Sequence, residues 1–151
     1  MSGGLVIRRM RADDLETVAS IEKKNFSVPW KAKDFAAYID RDDAIFLVAE
    51  EEGKIAGYIG FYGIPDEGDI TNVSVDPSFR RRGIGRALIK ELERRTESRG
   101  ITKIFLEVRE SNEPAIRLYE QEGFRQVGVR KEYYHSPTED ARLMKRDSQC
   151  L

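Results

Sequence analysis

A basic, glycine-containing turn between a predicted strand and a predicted helix has the residue types needed to hold a polyphosphate. The turn reads Arg80-Arg81-Arg82-Gly83-Ile84-Gly85-Arg86. Gly83 and Gly85 let the backbone bend with its N–H groups pointing inward, and neither has a Cβ to keep a ligand away. The helix that follows offers the unpaired N–H groups and partial positive charge of its first turn to an anion. A solvated turn that only begins an amphipathic helix is the alternative interpretation of this motif alone.

The residues that the turn lacks narrow the choice of ligand. No Lys-Ser or Lys-Thr follows the second glycine, so the loop that grips a nucleoside triphosphate with Mg²⁺ is absent. A dinucleotide-binding fingerprint would have a third glycine where Leu88 stands. What remains is Arg/Gln-x-x-Gly-x-Gly/Ala, which resembles the pyrophosphate loop of the GCN5-related N-acetyltransferases, the GNAT family. The resemblance assigns the pyrophosphate of coenzyme A to Arg81, Arg82, Gly83, Ile84, Gly85 and Arg86.

A second segment, residues 105–124, makes the resemblance specific. It reads as a strand, an Asn, a helix with Ala and Tyr, and then Gly-Phe, which looks like the second half of the family. Val28-Pro29-Trp30 and residues 133–141 are similar to one branch in particular, the RimI-type ribosomal-protein-alanine N-acetyltransferases. Arg80 departs from this branch, which usually has Gln there, although the wider family allows Arg. The resemblance covers nearly the whole chain. It implies transfer of an acetyl group from acetyl-CoA to the N-terminal amine of a small-subunit ribosomal protein, without a metal.

Glu107 is the candidate general base for this chemistry. An α-amino group has a pKa near ~8 and is mostly protonated at neutral pH, so a base must take its proton before the amine attacks a thioester. Glu107 interrupts an apolar run on a strand that we expect to be covered on both faces, where a carboxylate is costly unless it is used or paired. A strand-end Glu paired with Arg109 or a lysine is the alternative. By resemblance, Glu107 matches the proton acceptor of the branch.

Tyr119 is the candidate general acid. Coenzyme A leaves as a thiolate, which is expelled more easily if a nearby acid protonates it. A phenol with a reference pKa near ~10, against ~8.5 for a thiol, is protonated at neutral pH and can donate. Tyr119 matches the proton donor of the family. It also belongs to an apolar helix face with Ala115, Ile116 and Leu118, and the two roles are compatible because a tyrosine has an apolar body and a polar tip.

The resemblance also supplies the remaining cofactor contacts. In the family, the strand that matches residues 69–75 splays away from its neighbour and leaves backbone N–H groups free for the acetyl carbonyl and the pantetheine arm. By position these groups belong to Val73, Ser74 and Val75, and preorganised amides are effective where charge develops. Asn112 matches a cofactor-contacting side chain, although a helix cap would explain it without a ligand.

The elements that must position these residues alternate between strand and helix, and the chain has no internal repeat. Strands are predicted at 5–9, 45–50, 55–62, 69–75, 103–108, 124–134 and 141–145. Helices are predicted after a cap at Asp13 or Asp14, at 33–39, from the glycine turn to Gly100, and from a cap at Ser111 or Asn112 to Gly123. We therefore expect one α/β domain over residues 1–151, with a polar tail at about 146–151. The resemblance implies a GNAT fold, a mixed and mostly antiparallel sheet with a central splayed strand pair, flanked by helices.

Composition excludes some classes of function. The chain has 151 residues, with 26 Lys and Arg against 27 Asp and Glu, a net charge of -1 and a pI near 6.0. This balance argues against a nucleic-acid-binding module that would use Arg80, Arg81, Arg82 and Arg86, because such binding depends on a basic surface. The one cysteine, Cys150, forms no disulfide within the chain, and no apolar run approaches the ~18 residues of a membrane span. We expect a cytoplasmic protein without nucleic-acid or membrane partners.

Two further alternatives concern the reaction itself. A silent acyl-CoA sensor would keep the loop and lack proton-transfer groups, and both Glu107 and Tyr119 are present. A GNAT enzyme that acetylates lysine side chains, polyamines or another small amine would share the loop and the sheet, so only the acceptor side can separate it. By resemblance, the acceptor groove for an extended peptide is expected to be formed by Trp30, Tyr38, Tyr133, Tyr134 and Glu139. Aromatic residues at such positions also pack in cores. The oligomeric state cannot be predicted from these features.

Overall fold

The computed structural model describes residues 4–148, which form a seven-stranded sheet with helices on both faces. The predictions on Cys150 and on the end of the polar tail lie outside the described residues. In chain order the elements are β1 (Leu5–Arg9), α1 (Leu15–Asn25), α2 (Ala32–Ala36), β2 (Ala44–Glu51), β3 (Lys54–Ile64), β4 (Glu67–Val75), α3 (Ile84–Ser98), β5 (Lys103–Arg109), α4 (Glu113–Gln121), β6 (Arg125–Tyr134) and β7 (Glu139–Asp147). Short 3-10 turns at Ala12–Asp14 and Pro77–Phe79 precede α1 and α3.

Each predicted strand and helix is present, and the differences lie at the element ends. β7 continues to Asp147, so Arg146 and Asp147 belong to a strand and not to the predicted polar tail. The second helix was predicted at 33–39 but comprises only Ala32–Ala36. It ends early because the chain continues as turns, with the N–H of Tyr38 donating to Phe35 O at 3.0 Å and that of Arg41 to Tyr38 O at 3.0 Å.

The sheet has the strand order β1-β2-β3-β4-β5-β7-β6. Neighbouring strands are antiparallel except β4 and β5, which are parallel and joined by the crossover helix α3. These two strands pair over only three positions at their beginnings, Glu67 with Lys103, Gly68 with Ile104, and Asp69 with Phe105. Beyond them the two strands diverge and leave a wedge-shaped opening in the middle of the sheet. This confirms the predicted mixed sheet with a central splayed strand pair.

A bulge in β4 lies at the start of this opening. Ile70 pairs with Phe61 of β3 and Asn72 pairs with Gly60, so Thr71 is an extra residue on β4. Bulges bend a strand and turn side chains toward a different face. Here the bulge changes which residues of β4 lie on each face just where the strand leaves β5.

Two apolar clusters cover the two faces of the sheet. Successive residues of β2 alternate between them, with Leu47 in the cluster under α3 and α4 and Val48 in the cluster under α1 and α2. Four residues of α3 are buried in the first cluster, Ile84, Leu88, Ile89 and Leu92. They recur at the spacing of one helix face, which is why this segment forms an amphipathic helix over the sheet.

The cap of α1 was predicted at Asp13 or Asp14, and Asp14 does stand at the N-cap position, but its side chain makes no capping hydrogen bond. Its carboxylate instead accepts hydrogen bonds from the Arg11 N–H at 2.7 Å and from both terminal nitrogens of Arg8 at 2.8 and 2.9 Å. Burial alone would raise the pKa of the Asp14 carboxyl, but these donors and their positive charge hold the pKa below its usual range. The side chain thereby fastens the start of α1 to strand β1.

Asp14→Asn should lower the free energy of unfolding at pH 7 by about 2 kcal/mol, because a charged hydrogen-bonded pair is lost from a buried position. Since the pKa of Asp14 is lowered on folding, its contribution is complete above the ordinary pKa of an Asp near ~4 and disappears as the pH falls through the lowered value. Urea unfolding of both proteins at pH 7 and in acid measures the difference. Asp13→Asn, at the exposed neighbouring position, is the control and should change little at either pH.

Candidate active site

The turn between β4 and α3 is held by its own side chains. Asp76 accepts hydrogen bonds from the N–H and Oγ of Ser78 at 2.9 and 2.8 Å, and this sets the 3-10 turn after β4. The chain then reaches Gly83, which has φ 76° and lies directly before α3. The first N–H to bond within the helix is that of Ala87, which donates to Gly83 O at 3.0 Å. The preceding N–H groups are therefore available to an anion at the start of the helix.

The two glycines of the turn differ in their backbone conformation. Gly83 needs its positive φ, and no atom lies within 4 Å of the place where its Cβ would stand, so the space above the turn is open. Gly85 has no positive φ, and a Cβ there would make an ordinary contact with Leu118 of α4 at 3.4 Å. The prediction that both glycines bend the backbone therefore holds for Gly83 alone.

Three of the four arginines of the turn have protein partners. Arg80 donates to Asn25 Oδ1 at 2.7 Å, Arg82 to Glu51 Oε2 at 2.6 Å, and Arg86 to Glu122 Oε2 at 2.7 Å. Arg81 has no hydrogen-bond or ion-pair partner among residues 4–148 and is exposed. Backbone N–H groups and Arg81 are thus the donors that a phosphate can use without breaking an existing contact.

Gly83→Val should weaken acetyl-CoA binding by about tenfold or more, which corresponds to about 1.4 kcal/mol. A branched side chain disfavours the positive φ and occupies the open space above the helix start. Calorimetry measures the dissociation constant, and circular dichroism checks the fold. Gly100→Val is a matched control because Gly100 has φ 78°, also has no atom within 4 Å of its Cβ position, and lies at the other end of α3. Equal affinity losses in both variants would exclude the turn as the phosphate site.

The strand amides predicted to hold the acetyl group do not all point the same way. The Asp76 N–H donates to Ala56 O of β3 at 2.7 Å. Because successive N–H groups of a strand point to opposite edges, those of Val73 and Val75 face the opening and that of Ser74 faces β3. The Ser74 hydroxyl accepts a hydrogen bond from Asn25 Nδ2, which also donates to Val75 O at 3.0 Å. Asn25 of α1 therefore holds the edge of β4 in place beside the opening.

Glu107 lies on β5 at the opposite side of the opening. Ile104, Leu106 and Val108 point into the cluster under α3, so Glu107 points to the face of α1. That face is not covered as expected: the Glu107 side chain is 23% exposed, and Oε2 accepts a hydrogen bond from Arg130 Nε at 2.6 Å. Its ion-pair partner is Arg130 and not Arg109 or a lysine. Oε1 has no partner among the described residues and can accept a proton from a bound amine.

Asp69 is a neighbour of Glu107 that sequence reasoning missed. It pairs with Phe105 in the parallel register, two residues before Glu107. Partial burial and then the negative charges of Glu107 and Glu67 raise the pKa of Asp69. The two carboxylates make this side of the opening acidic, which favours a cationic group there. Both carboxylates can be read from the sequence, but only the register of β4 and β5 shows that they lie close together.

Tyr119 lies on α4, 6% exposed, with its ring against Phe124 at 5.8 Å between centroids. Burial, and to a lesser extent the nearby phenol of Tyr134, raise the pKa of Tyr119, so its hydroxyl stays protonated. The hydroxyl has no hydrogen-bond partner among residues 4–148. The ring therefore packs in the core while the hydroxyl remains protonated and without a protein partner among the described residues.

The loop after β5 is organised by Glu139 and Arg109. Glu139 accepts hydrogen bonds from the Ser111 N–H at 2.6 Å and from Arg109 Nη1 at 3.1 Å, which hold the pKa of its carboxyl below the usual range. Arg109 also lies 4.5 Å over the ring of Tyr134, and burial raises the pKa of Tyr134 to about 12. Each carboxylate oxygen of Glu139 therefore already has a partner within the protein.

Asn112 caps α4, with Oδ1 accepting from the Ala115 N–H at 3.3 Å.

The residues expected to form the acceptor groove fall into two groups. Trp30 and Tyr38 stack on each other at 5.5 Å and both pack against the cluster under α1 and α2. Tyr133 and Tyr134 lie at the end of β6, with ring centroids 5.1 Å apart, and partial burial raises the pKa of Tyr133. Only the second group is close enough to Glu107 for its charge to affect both phenols.

A turn with free N–H groups before a helix, an open strand pair, a carboxylate with a free oxygen and a protonated phenol fit an acyl-CoA-dependent transferase. The sequence profile of the acetyltransferase (GNAT) family matches residues 15–124, and the chain belongs to that family. It is an acetyltransferase that uses acetyl-CoA as co-substrate. Among residues 4–148, no helix is long and apolar enough to cross a membrane.

The names of similar proteins describe the reaction more specifically than the family name does. The chain is 37% identical over 136 residues to the [ribosomal protein bS18]-alanine N-acetyltransferase of Escherichia coli (strain K12), covering 90% of each protein. It is 32% identical to an N-alpha-acetyltransferase of Sulfurisphaera tokodaii, covering 91% of this chain and 90% of the relative. The crystal structure of the ribosomal-protein-S18-alanine N-acetyltransferase from Escherichia coli superposes with a TM-score of 0.90 at 33% identity, covering 97% of this chain and 96% of the other.

Proposed function

We propose that this acetyltransferase transfers the acetyl group of acetyl-CoA to the N-terminal alanine amine of ribosomal protein bS18 in the small subunit. The observation that carries the proposal is the opening between β4 and β5, with inward-facing amides on one side and Glu107 on the other. Relatives that cover nine-tenths of the chain and are named for this reaction support it. The protein works in the cytoplasm as a single domain over residues 1–151.

The residues of the chain divide the work between the two sides of the opening. The start of α3, with Gly83 and Arg81, binds the pyrophosphate of acetyl-CoA. The N–H groups of Val73 and Val75 bind the acetyl carbonyl oxygen, where negative charge develops as the amine attacks. Glu107 accepts the proton of the amine through Oε1, and Tyr119 donates its proton to the departing thiolate.

The acceptor is an amine with a positive charge at neutral pH, and the acidic side of the opening suits it. Asp69 and Glu107 face the approaching ammonium, and Arg130 holds only one of the two oxygens of Glu107. Tyr133 and Tyr134 at the end of β6 offer apolar faces and hydroxyl groups to the first residues of an extended peptide. We place the peptide between this pair and the loop before α2.

A turnover assay with a panel of acceptors tests the proposal. The panel contains peptides that begin Ala-Arg, Ser and Met, a peptide with an internal lysine and a blocked N-terminus, and free polyamines. The Ala-Arg peptide should have the highest kcat/KM, and mass spectrometry should place the acetyl group on its α-amine. A blocked copy of the same peptide should not react. Higher activity on the lysine peptide or a polyamine would contradict the proposal.

A further inference from the structure

One buried side chain beside the opening has an oxygen without a partner. Asn72 of β4 is 8% exposed, and its Oδ1 forms no hydrogen bond with any of residues 4–148. Its Nδ2 donates to Glu22 Oε2 of α1 at 3.3 Å. A buried carbonyl oxygen without a donor is costly unless a ligand supplies one.

Glu22 fixes which way the Asn72 amide faces. The Glu22 carboxylate is 3% exposed and accepts hydrogen bonds from three donors, the Tyr58 hydroxyl, the Trp30 N–H at 3.2 Å and Asn72 Nδ2. Turning the amide by 180° would place Oδ1 against this carboxylate, and two acceptors repel each other. The nitrogen is therefore held toward Glu22 and the oxygen is turned away from it.

The strand register places Asn72 at the level of Glu107. Glu107 is two residues beyond Phe105, which pairs with Asp69. Asn72 is three residues beyond Asp69, and one of the three is the extra residue of the bulge, Thr71. Both side chains lie on the face of α1, since Asn72 contacts Glu22 and Glu107 is opposite to the cluster under α3. They therefore stand on the two sides of the same opening.

An attacking amine needs two acceptors in this place. Its lone pair must point at the thioester carbonyl carbon, so its N–H bonds point to the sides. We propose that Asn72 Oδ1 accepts one N–H of the acceptor amine while Glu107 takes the proton of another, and that Glu22 is a positioning residue that keeps Oδ1 turned to the amine. This rests on the proposed function and extends it by naming the residue that orients the nucleophile.

Asn72→Leu keeps the size of the side chain and deletes the oxygen, together with the Nδ2 that donates to Glu22. Its kcat/KM for the acceptor should fall by about ten- to a hundredfold, as expected for a lost hydrogen bond to a charged or reacting group. The dissociation constant of acetyl-CoA should stay within about twofold, because the contact is to the amine. Thr71→Val is the matched control: it removes another buried oxygen without a partner from the same bulge, but one that lies over Gly60 of β3. It should keep its kcat/KM within about twofold.

Glu22→Leu gives a second test that leaves Asn72 intact. It removes the acceptor of Asn72 Nδ2, so the Asn72 amide is no longer held with Oδ1 toward the amine. Gln would not do this, because the Trp30 N–H would keep the oxygen of the new amide in the place of Oε2. The loss of kcat/KM should be similar to that of Asn72→Leu, and the double variant should be no worse than Asn72→Leu alone, which independent structural damage would not produce. Additive losses would overturn the positioning role of Glu22.

Two results would overturn the role of Asn72. One is a kcat/KM for Asn72→Leu within about twofold of wild type, and the other is an equal loss of acetyl-CoA affinity, which would assign Asn72 to the cofactor or to the fold. The kcat/KM of each variant, relative to wild type, is measured on the Ala-Arg peptide and on the acceptor that the wild type uses best. A preference of the wild type for a lysine peptide would contradict the proposed function. The relative kcat/KM on that lysine peptide would still decide the role of Asn72.

Discussion

Glu107→Gln should lower kcat/KM for the acceptor peptide by about 10²- to 10⁴-fold at pH 7, the range that a general acid–base group supplies. Gln keeps the size of the side chain and can still accept from Arg130, but it cannot take a proton. The loss should shrink as the pH rises toward 9, because more of the α-amine, with a pKa near ~8, is then already neutral. The measurement is a pH profile of kcat/KM for both proteins.

Glu110→Gln is the matched control for this profile. Glu110 follows β5, is exposed, and accepts from Arg142 at 2.5 Å, so the variant also removes the charge of a Glu that is paired with an arginine. It lies outside the opening and should have a wild-type profile. A loss in Glu107→Gln that is the same at every pH would assign Glu107 to substrate orientation or to structure.

Tyr119→Phe should fold with nearly unchanged stability and bind acetyl-CoA normally, but turn over about 10² to 10⁴ times more slowly. The ring that packs against Phe124 remains, and only the hydroxyl is deleted. The raised pKa of this phenol makes it a weaker acid than a free tyrosine, but the same dry surroundings also raise the pKa of the thiol that forms beside it. Single-turnover and steady-state kinetics measure the loss.

An acyl donor whose thiol has a lower pKa isolates the acid role of Tyr119. A better leaving group needs less protonation, so the defect of Tyr119→Phe should shrink with this donor. Tyr62→Phe is the control for deleting a hydroxyl, because Tyr62 packs against the cluster under α1 and α2, on the opposite face of the sheet from Tyr119, and its hydroxyl accepts from Arg41 at 3.3 Å. A kcat of Tyr119→Phe within about threefold of wild type, or a defect of constant size, would contradict the assignment.

The sequence predicted the elements and the sheet class because their signals are local. A glycine before an amphipathic helix and a capping Asn before another are read from a few adjacent residues, and Gly83 and Asn112 stand where these signals placed them. The splayed strands were predicted from the resemblance, because nothing in Val73-Ser74-Val75 reveals them. The structure shows where the strands separate, since the pairing of β4 with β5 stops after Asp69.

The sequence failed where the answer depends on register or on partners distant in the chain. Residue type alone does not show that Trp30 and Tyr38 stack on each other and pack against the cluster under α1 and α2, at a different place from Tyr134. Likewise, a basic turn does not reveal that Arg82 and Arg86 already have carboxylate partners. The faces of Asn72 and Thr71 are set by a bulge, which shifts the alternation by one residue and has no sequence signature here.

The short pairing of β4 with β5 divides the sheet into two smaller sheets, β1 to β4 and β5 to β7, that share only three residue pairs. The helix α3 helps to hold these halves together, because one apolar cluster contains α3 residues such as Leu88 together with Ile59 of β3, Leu106 of β5 and Met144 of β7. The helix whose first turn is proposed to bind the phosphates therefore also belongs to the cluster that joins the two halves. The same buried side chains thus contribute both to the cohesion of the fold and to the separation of the two sides of the opening.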